Sequence, residues 1–378
     1  MTIPHARAVI DLGALANNVR YLNQKTGDAA LMAIVKADAY GHGLVPCAKA
    51  AVAGGATWLG TALFQEALAL REAGLTVRIL TWLNTIDDQF ADCITRDIDL
   101  GVSSLQSLKS ISLAAESVGK QAKVHIKIDT GLGRNGVTPT DLPELIAFAV
   151  QQRASVNVVG AMGHFAYADE PHHPTITKQL EIFNSAIEQI ESAGIELEVK
   201  HHANSAAVLT LPEAHFNLVR PGIAMYGITP GLTLGTAHDL GLQPVMSLHS
   251  SVALAKNVPA GTGVSYAHAY HTSADTRLAL IPAGYSDGIP RAASNKGPVL
   301  IGGRQFKVAG RVCMDQFVVD VGDLPVNIGD DVVLFGDPSR GEPSVEDWAI
   351  ACDTIGYEIV TRIGPRVTRE YINEPTFA

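Results

Sequence analysis

Short apolar runs alternate with amphipathic segments along the first 230 residues of the chain. Each run ends in a polar or glycine-rich stretch, and the segments that follow space their apolar side chains by three and four positions. Eight runs are predicted to be buried strands: Leu31–Lys36, Thr57–Thr61, Arg78–Trp82, Ile98–Val102, Lys123–Asp129, Asn157–Gly163, Leu197–His201 and Asn217–Gly227. Helical spacing is found in four segments: Thr61–Ala73, Ser104–Val118, Thr140–Gln152 and Thr175–Ala193. This alternation predicts a parallel (β/α)8 barrel of the TIM type rather than an open sheet.

The pattern changes after Thr229-Pro230-Gly231, where short strands are separated by glycine, proline and asparagine turns. Six strand segments are predicted there: Val245–Asn257, Arg277–Pro282, Val299–Ile301, Phe306–Val312, Phe317–Val321 and Asp331–Phe335. One helix interrupts them, because Ser344 and Asp347 have the spacing of a capping box. The sequence therefore predicts an α/β protein, with the barrel over residues 1–235 and a mainly β C-terminal domain over residues 236–378.

Composition narrows the classes of function. The chain has 378 residues and a net charge of −10, which argues against a broad basic surface for nucleic acid. Charged residues make up 17%, below the usual share of about 25%, so much surface is expected to be buried in a core or against another subunit. No apolar run approaches the length of a membrane helix, and residues 1–20 lack the apolar stretch of a secretory signal. Together with four dispersed cysteines, these features favour a cytoplasmic protein without nucleic-acid or membrane partners.

The candidate chemistry begins at Lys36, which ends the first predicted strand and precedes Ala37-Asp38-Ala39-Tyr40-Gly41-His42-Gly43. The working groups of such barrels lie at the C-terminal ends of the strands. Partial desolvation there lowers the pKa of an ammonium group, so Lys36 is a candidate nucleophile for Schiff-base chemistry. The alternative is a lysine that reaches into solvent. The glycines behind it favour the first interpretation, because they let the backbone approach a ligand closely.

The segment Val35–Gly43 resembles the pyridoxal-phosphate attachment signature of alanine racemases. Further segments continue the resemblance in family order through both domains: Lys127–Arg134, Gly163–Ala166, His202–Ala206, Arg220–Gly227, Val264–Tyr266, Gly284–Gly288, Cys313–Gln316 and Gly356–Ile359. One such match is a weak signal, whereas a series in order is a strong one. The resemblance implies a fold-type III pyridoxal-phosphate enzyme that interconverts L-alanine and D-alanine.

The resemblance also implies the cofactor site. Lys36 would attach pyridoxal 5′-phosphate and Arg220 would face its pyridine nitrogen. The other implied contacts are Tyr40, His164, Asn204, Ser205, Gly222, Ile223 and Tyr357. Because a guanidinium keeps its protons, Arg220 would leave that nitrogen unprotonated and so disfavour decarboxylation or transamination. Without the resemblance, Arg220 would be interpreted as an ion-pair partner at the barrel rim. A structural role would be as good an interpretation of His164 as a functional one. Tyr40 and Tyr357 would each be interpreted as an ordinary surface or core aromatic.

Racemisation needs acid–base groups on both faces of the substrate, and the resemblance assigns these roles to Lys36 and Tyr266. Arg134 and the backbone N–H of Met314 match the family's substrate-binding positions, and Tyr285 matches its entrance tyrosine. In relatives the two tyrosines come from the partner subunit. A homodimer with shared active sites is therefore implied.

Lys127 occupies a position that is carbamylated in some relatives, where the resulting anion would orient Arg134. An ordinary lysine paired with Asp129 is an equal alternative at this stage.

Other functions remain open. A racemase that also accepts serine would share all of these residues. A fold-type III decarboxylase would carry an acid where Arg220 stands, and a non-catalytic pyridoxal-phosphate carrier would lack Tyr266 and the second domain. No metal is expected, because the thirteen histidines form no HExxH motif and His201-His202 would point to opposite faces of a strand. The sequence does not separate D-alanine supply for peptidoglycan from D-alanine catabolism.

Overall fold

The computed structural model describes residues 5–85 and 89–375 of the chain. After strand β1 (Ala6–Asp11), eight strands form a parallel barrel: β2 (Ala30–Ile34), β3 (Trp58–Thr61), β4 (Arg78–Thr81), β5 (Ile98–Val102), β6 (Ala122–Lys127), β7 (Val156–Met162), β8 (Val199–His201) and β9 (Leu218–Val219). They pair in chain order, and β9 lies beside β2. Between β8 and β9 the Arg220 N–H donates to the Ala203 carbonyl at 3.0 Å. The predicted barrel is confirmed as a nearly closed one.

The helical segments of the barrel part are α1 (Leu12–Lys25), α2 (Lys36–Tyr40), α3 (Leu44–Ala53), α4 (Phe64–Glu72), α5 (Phe90–Thr95), α6 (Leu105–Val118), α7 (Leu142–Gln151), α8 (Thr175–Ser192) and α9 (Ser205–Thr210), of which α2 is a short left-handed turn. Helix α8 buries Ile176, Phe183 and Ile190 on one face, as its apolar spacing predicts. Helix α4 begins at Phe64 rather than at the predicted Thr61. The Glu66 carboxylate accepts from the N–H groups of Ala62 and Leu63 at 3.0 Å and so fixes the start of this helix.

The C-terminal part is mainly β. Its strands are β10 (Met246–Ser251), β11 (Leu254–Val258), β12 (Gly263–Val264), β13 (Tyr270–His271), β14 (Thr276–Ile281), β15 (Pro298–Ile301), β16 (Arg304–Ala309), β17 (Phe317–Gly322), β18 (Asp331–Phe335) and β19 (Thr368–Ile372). Two helices, α10 (Val345–Cys352) and α11 (Gly356–Thr361), pack against it. Trp348 of α10 is fully buried, and its indole N–H donates to the Leu334 carbonyl at 2.5 Å. The predicted mainly β second domain is confirmed.

Strand β1 belongs to the sheet of this second domain, although it lies at the start of the chain. It pairs antiparallel with β10 and parallel with β19, within the order β11-β14-β17-β16-β15-β18-β10-β1-β19. The division at residues 235 and 236 stays a prediction. Residues 1–4 and 376–378 of those two ranges lie outside the described part of the chain.

Two predicted strands are shorter than expected. Val245–Asn257 is two strands, because the N–H of Val252 donates to Asp330 and that of Ala253 to Leu280, so the chain changes its partner strand there. Asn217–Gly227 contains only the two-residue strand β9, followed by a 3-10 turn over Ile223–Tyr226. Pro221 lacks an N–H group and cannot continue a strand ladder.

No helix in the described ranges is both long enough and apolar enough to cross a bilayer.

The start of α10 offers a test of local stability. Replacing Ser344 by alanine removes the side-chain acceptor for the Asp347 N–H, which lies at 2.9 Å. We expect the free energy of unfolding, measured with urea at fixed protein concentration, to fall by about 1 kcal/mol. The control is Ser339→Ala, since the exposed Ser339 side chain makes no hydrogen bond to any described residue. An equal loss in both variants would contradict a capping role for Ser344.

Candidate active site

Lys36 stands at the start of a left-handed turn rather than at the end of a strand. Strand β2 ends at Ile34, two residues earlier than the prediction requires, and Ala37–Tyr40 all have φ angles between 52° and 56°. Left-handed backbone costs about 1–2 kcal/mol per residue for side chains other than glycine. The turn therefore persists only because its surroundings hold it.

Three side chains hold this turn. Glu66 accepts from the Ala37 N–H at 2.6 Å, and Asp38 accepts from the Leu44 N–H at 2.7 Å. The wholly buried His42 ring contacts the Ala39 and Tyr40 carbonyls through Nδ1 at 3.0 and 2.9 Å. The sequence did not lead us to predict that Glu66 and His42 stabilise the turn after Lys36. A usable signal existed for Glu66, which stands at the third position of its helix, where capping-box carboxylates occur.

A cavity of about 350 Å³ lies at the C-terminal end of the barrel, within the range of small-molecule sites. Eleven predicted site residues line it: Lys36, Tyr40, Lys127, Arg134, His164, Asn204, Ser205, Arg220, Gly222, Ile223 and Tyr357. The sequence analysis did not foresee Trp82, Met162 and Thr361 as further lining residues, and no local motif marks them.

The cavity suits an anionic ligand. Lys36, Lys127, Arg134 and Arg220 line it, whereas no Asp or Glu of the described chain does. Burial and then the charge of Arg134 lower the pKa of Lys36, and Glu66 acts in the opposite direction. Burial and then the charge of Arg220 lower the pKa of Lys127 to about 8. Neutral amines are therefore more accessible here than at the protein surface.

Arg220 is 5% exposed and has its guanidinium bound to barrel carbonyls. One terminal nitrogen, Nη1, donates to the His201 carbonyl at 2.6 Å and meets His201 Nδ1 at 3.0 Å. The other, Nη2, donates to the Gly163 and His202 carbonyls at 2.6 and 3.3 Å. Burial lowers the pKa of Arg220 to about 10, which leaves it protonated at neutral pH.

His164 lines the same cavity. Burial, reinforced by the charge of Arg220, lowers the pKa of His164 well below its usual value. Its ring is therefore neutral at physiological pH.

Backbone N–H groups and hydroxyls gather on one side of the cavity. Asn204 caps α9 by accepting from the Ala207 N–H at 3.1 Å. The Ser205 hydroxyl accepts from the N–H groups of Gly222 and Ala224 at 2.8 and 3.3 Å. Because the Ser205 oxygen accepts both of these bonds, its own O–H is left to donate to a ligand such as phosphate.

Tyr40 and Tyr357 stand at the same side, with ring centroids 6.2 Å apart. Burial raises the pKa of both, so their hydroxyls stay protonated and can donate. Gly222 is required beside them, since a Cβ there would lie 2.4 Å from the Tyr40 hydroxyl oxygen.

The structure does not bring Tyr266, Tyr285 or Met314 to this cavity. All three lie exposed on the second domain, with exposed fractions of 71%, 43% and 54%. The loops of Tyr285 and Met314 are joined, because the Ser286 N–H donates to the Met314 carbonyl at 3.0 Å. A site that uses these residues cannot be completed by one chain in this conformation.

A second cavity of about 470 Å³ lies between the barrel and the second domain, beside Tyr226, Met246 and Ile350. It is lined mainly by apolar side chains, without lysine or arginine. The chemistry therefore points to the smaller cavity around Lys36. Among the described residues no group of three or more His, Cys, Asp or Glu side chains is arranged to hold a metal ion.

Comparison with known proteins gives the same picture for both parts of the chain. The family model for the alanine racemase N-terminal domain matches residues 10–230, and that for the C-terminal domain matches residues 245–371. The alanine racemase of Frankia casuarinae is 53% identical over 97% of this chain and 96% of its own length. That of Streptomyces coelicolor is 54% identical over 98% of this chain and 96% of its own.

Solved structures agree. The crystal structure of alanine racemase from the D-cycloserine producer Streptomyces lavendulae superimposes with a TM-score of 0.98 at 52% identity, covering 99% of this chain and 98% of that one. Because both domain models match in order and the similarity runs along nearly the whole sequence, the chain belongs to the alanine racemase family.

Proposed function

We propose that this protein interconverts L-alanine and D-alanine with pyridoxal 5′-phosphate attached to Lys36. The observation that carries the proposal is the cavity itself. It holds Lys36 with its lowered pKa and three further cationic side chains, one of which is the donor-only Arg220, in a chain of the alanine racemase family.

The residues of the cavity fit this cofactor. The hydroxyls of Ser205, Tyr40 and Tyr357 would supply donors for a phosphate, and the backbone at Gly222 and Ile223 lines the same part of the cavity. Asn204 fixes the start of α9, and His164 adds a neutral ring to the wall. When bound, pyridoxal phosphate supplies a conjugated ring that acidifies the Cα–H bond of an attached amino acid.

Arg220 supports racemisation over decarboxylation. Its four Nη hydrogens are directed at barrel acceptors, whereas its Nε–H has no acceptor in the described residues and would be the donor toward the cofactor's ring nitrogen. A guanidinium is a donor that does not pass its proton on at neutral pH. Arg220 would therefore leave that nitrogen unprotonated and favour prompt return of a proton to Cα.

The two acid–base groups come from different places. The Lys36 amine serves one face of the substrate, since its lowered pKa increases the fraction of the neutral amine that can accept a proton. Tyr266 serves the other face from the partner subunit of a homodimer, which accounts for its 71% exposure in the single chain. Shared sites of this kind need an isologous dimer, in which each chain gives and receives the same surface.

The substrate carboxylate is held by Arg134, which lines the cavity, and by the Met314 N–H of the partner. Tyr285, on the loop joined to that of Met314, restricts the entrance and favours small side chains. Alanine is the proposed substrate, with serine as the second candidate because it adds only a hydroxyl. We place the protein in the cytoplasm, where D-alanine is supplied for peptidoglycan or consumed in catabolism.

Lys36→Ala tests the proposal directly. We expect loss of the visible absorbance of covalently bound cofactor and loss of racemisation to the detection limit, because the substitution removes the amine that would form the covalent bond and accept the proton. Production of each alanine enantiomer from the other is measured by chiral chromatography. The matched control is Lys123→Ala, an exposed lysine in β6, which should retain both signals. An unchanged absorbance in Lys36→Ala would place the cofactor elsewhere.

Tyr266→Phe tests the second acid–base group. We expect deuterium exchange at Cα from solvent to be impaired mainly when the reaction starts from L-alanine, since the phenol serves one face only. Mass spectrometry of the amino acid measures the exchange, and Tyr270→Phe is the control, because Tyr270 bonds Asp320 instead. Equal loss from both enantiomers would argue against the assigned faces.

A mixture of two inactive variants tests whether the second group crosses between subunits. Lys36→Ala and Tyr266→Ala chains, refolded together, should recover about a quarter of the wild-type activity, because mixed dimers contain one intact site. Absence of recovery, with mixed dimers verified by native mass spectrometry, would contradict a shared site.

Lys127 is proposed to carry a carbamate. The neutral amine attacks carbon dioxide, the C–N bond forms, and the departing proton goes to solvent. Because burial lowers the pKa of Lys127 to about 8, part of the amine is neutral at neutral pH.

We expect a carbamate signal from Lys127 by 13C NMR in 13C-bicarbonate, and we expect it to grow from pH 6 to about pH 8, where the amine loses its proton. Lys127→Arg, which keeps the charge, is the control and should show no signal; a wild type without the signal would contradict the carbamate.

A further inference from the structure

A line of polar side chains runs from Arg220 into the interior of the barrel. Arg220 Nη1 meets His201 Nδ1 at 3.0 Å, and His201 Nε2 meets His125 Nδ1 at 2.8 Å. His125 Nε2 then meets the Asp99 carboxylate at 3.1 Å. We call Arg220, His201, His125 and Asp99 the barrel relay. It joins the residue that follows β9 to strands β8, β6 and β5.

Every member of the barrel relay is buried. The exposed fraction is 5% for Arg220, 2% for Asp99 and zero for both histidines. A buried polar group left without a partner costs about 1–3 kcal/mol. The positions of the hydrogens are therefore determined by which atoms are able to donate and accept.

Those positions follow from the two ends. Arg220 only donates, so His201 Nδ1 must accept and the His201 hydrogen lies on Nε2. That N–H donates to His125, whose own hydrogen is then also on Nε2. It donates to Asp99, which only accepts when ionised. Both histidines are neutral, and all the bonds of the relay run in one direction.

At the end of the relay away from Arg220, the contact with Arg78 stabilises the ionised form of Asp99. The same Asp99 oxygen accepts from Arg78 Nη2 at 2.6 Å, and the Arg78 guanidinium lies 4.0 Å from the centre of the Trp58 ring. Arg78 also donates to the half-exposed Glu198 at 2.6 Å. An acceptor-only group is thus maintained opposite the donor-only arginine.

The barrel also makes room for the middle of the relay. Gly160 of β7 stands against the His125 ring, and a Cβ there would lie 2.3 Å from His125 Nδ1. Strand β6 changes its register against β7 between Val124 and His125. A glycine and an irregular register each destabilise a buried strand. Here they occur at the same point and leave space for the imidazole of His125.

The relay determines which hydrogen of Arg220 is free. With His201 Nδ1 as an acceptor, Nη1 has two acceptors and Nη2 has two carbonyls. Only Nε–H is without an acceptor among the described residues. If His201 carried its hydrogen on Nδ1, two donors would face each other and the guanidinium would have to turn.

We propose that Asp99 and His125 are positioning residues that lock His201 as the neutral Nε2–H tautomer and thereby keep the Nε–H of Arg220 directed into the cavity. This inference rests on the proposed function for the identity of the atom that Nε–H meets, the ring nitrogen of the cofactor. The tautomer itself is a property of the chain alone.

The first test needs no variant. Neutron diffraction or 15N NMR of histidine-labelled protein, with and without cofactor, should show hydrogen on Nε2 and none on Nδ1 at both His201 and His125. Hydrogen on Nδ1 of either residue would overturn the relay, whether or not the protein racemises alanine. Conversely, a protein with this tautomer and no racemase activity would overturn the proposed function and leave the relay standing.

Substitutions then test what the relay does. Asp99→Leu removes the acceptor, so either a buried N–H of His125 is orphaned or the relay reverses against Arg220. We expect kcat to fall about tenfold to a hundredfold. KM for alanine should stay within about threefold because Arg134 is untouched. The absorbance maximum of the bound cofactor should shift, and the His201 tautomer should become mixed.

Two further variants separate positioning from general stability. Asp99→Asn keeps an acceptor oxygen and should restore the single tautomer and much of kcat. Glu198→Gln neutralises the other carboxylate that contacts Arg78 and leaves the relay intact, so kcat and tautomer should both be unchanged. If Asp99→Leu does not fold, His125→Phe interrupts the same line and the same readouts apply. A folded interrupted variant with wild-type kcat and an unshifted cofactor spectrum would contradict the proposal.

Discussion

A buried guanidinium whose terminal hydrogens are all engaged is the constraint on which this site depends. Arg220 is held at the cavity because strand β8, the residue that follows it and the residue that follows β7 direct their carbonyls at its guanidinium. Its charge is tolerated in the interior because each terminal nitrogen has acceptors at hydrogen-bond distance. The same bonds make it a donor that neither rotates nor gives up its proton. A ligand that meets it must therefore offer an acceptor.

The Lys36 amine is also held in a constrained position, but by a different kind of backbone. Arg220 is held by regular barrel backbone, whereas Lys36 precedes four consecutive left-handed residues. Their conformational cost is offset by the carboxylates of Glu66 and Asp38 and by the ring of His42. Strain of this kind persists where surrounding structure over-determines it, which is typical of functional sites. The Lys36 amine is thus placed by the tertiary structure and not by local preference.

The second domain has two relations to the site. Within one chain it supplies Tyr357 at the start of α11, supported by the capped helix α10 and the buried Trp348. It also carries Tyr266, Tyr285 and Met314 on an exposed surface away from the cavity of its own chain. These contrasting placements are the reason that we propose a dimer in which each second domain completes the partner's site.

Much of this arrangement follows from the sequence by itself. Alternating apolar runs determined the barrel, since a buried parallel strand needs a continuous apolar run and a covering helix. Linear segments such as Val35–Gly43 and Arg220–Gly227 indicated residues that line the cavity through their resemblance to alanine racemase signatures. The capped start of α10 was likewise readable from Ser344 and Asp347 alone.

Other features were decided only when distant segments met. Strand β1 joined the far sheet because its partners, β10 and β19, lie more than two hundred residues away in the chain. Nothing local to Glu66 shows that its carboxylate reaches the Ala37 N–H, and nothing local to Asp99 or His125 connects them with Arg220. Hydrogen-bond direction in a buried line depends on the groups at both of its ends, and those ends are neighbours only in three dimensions.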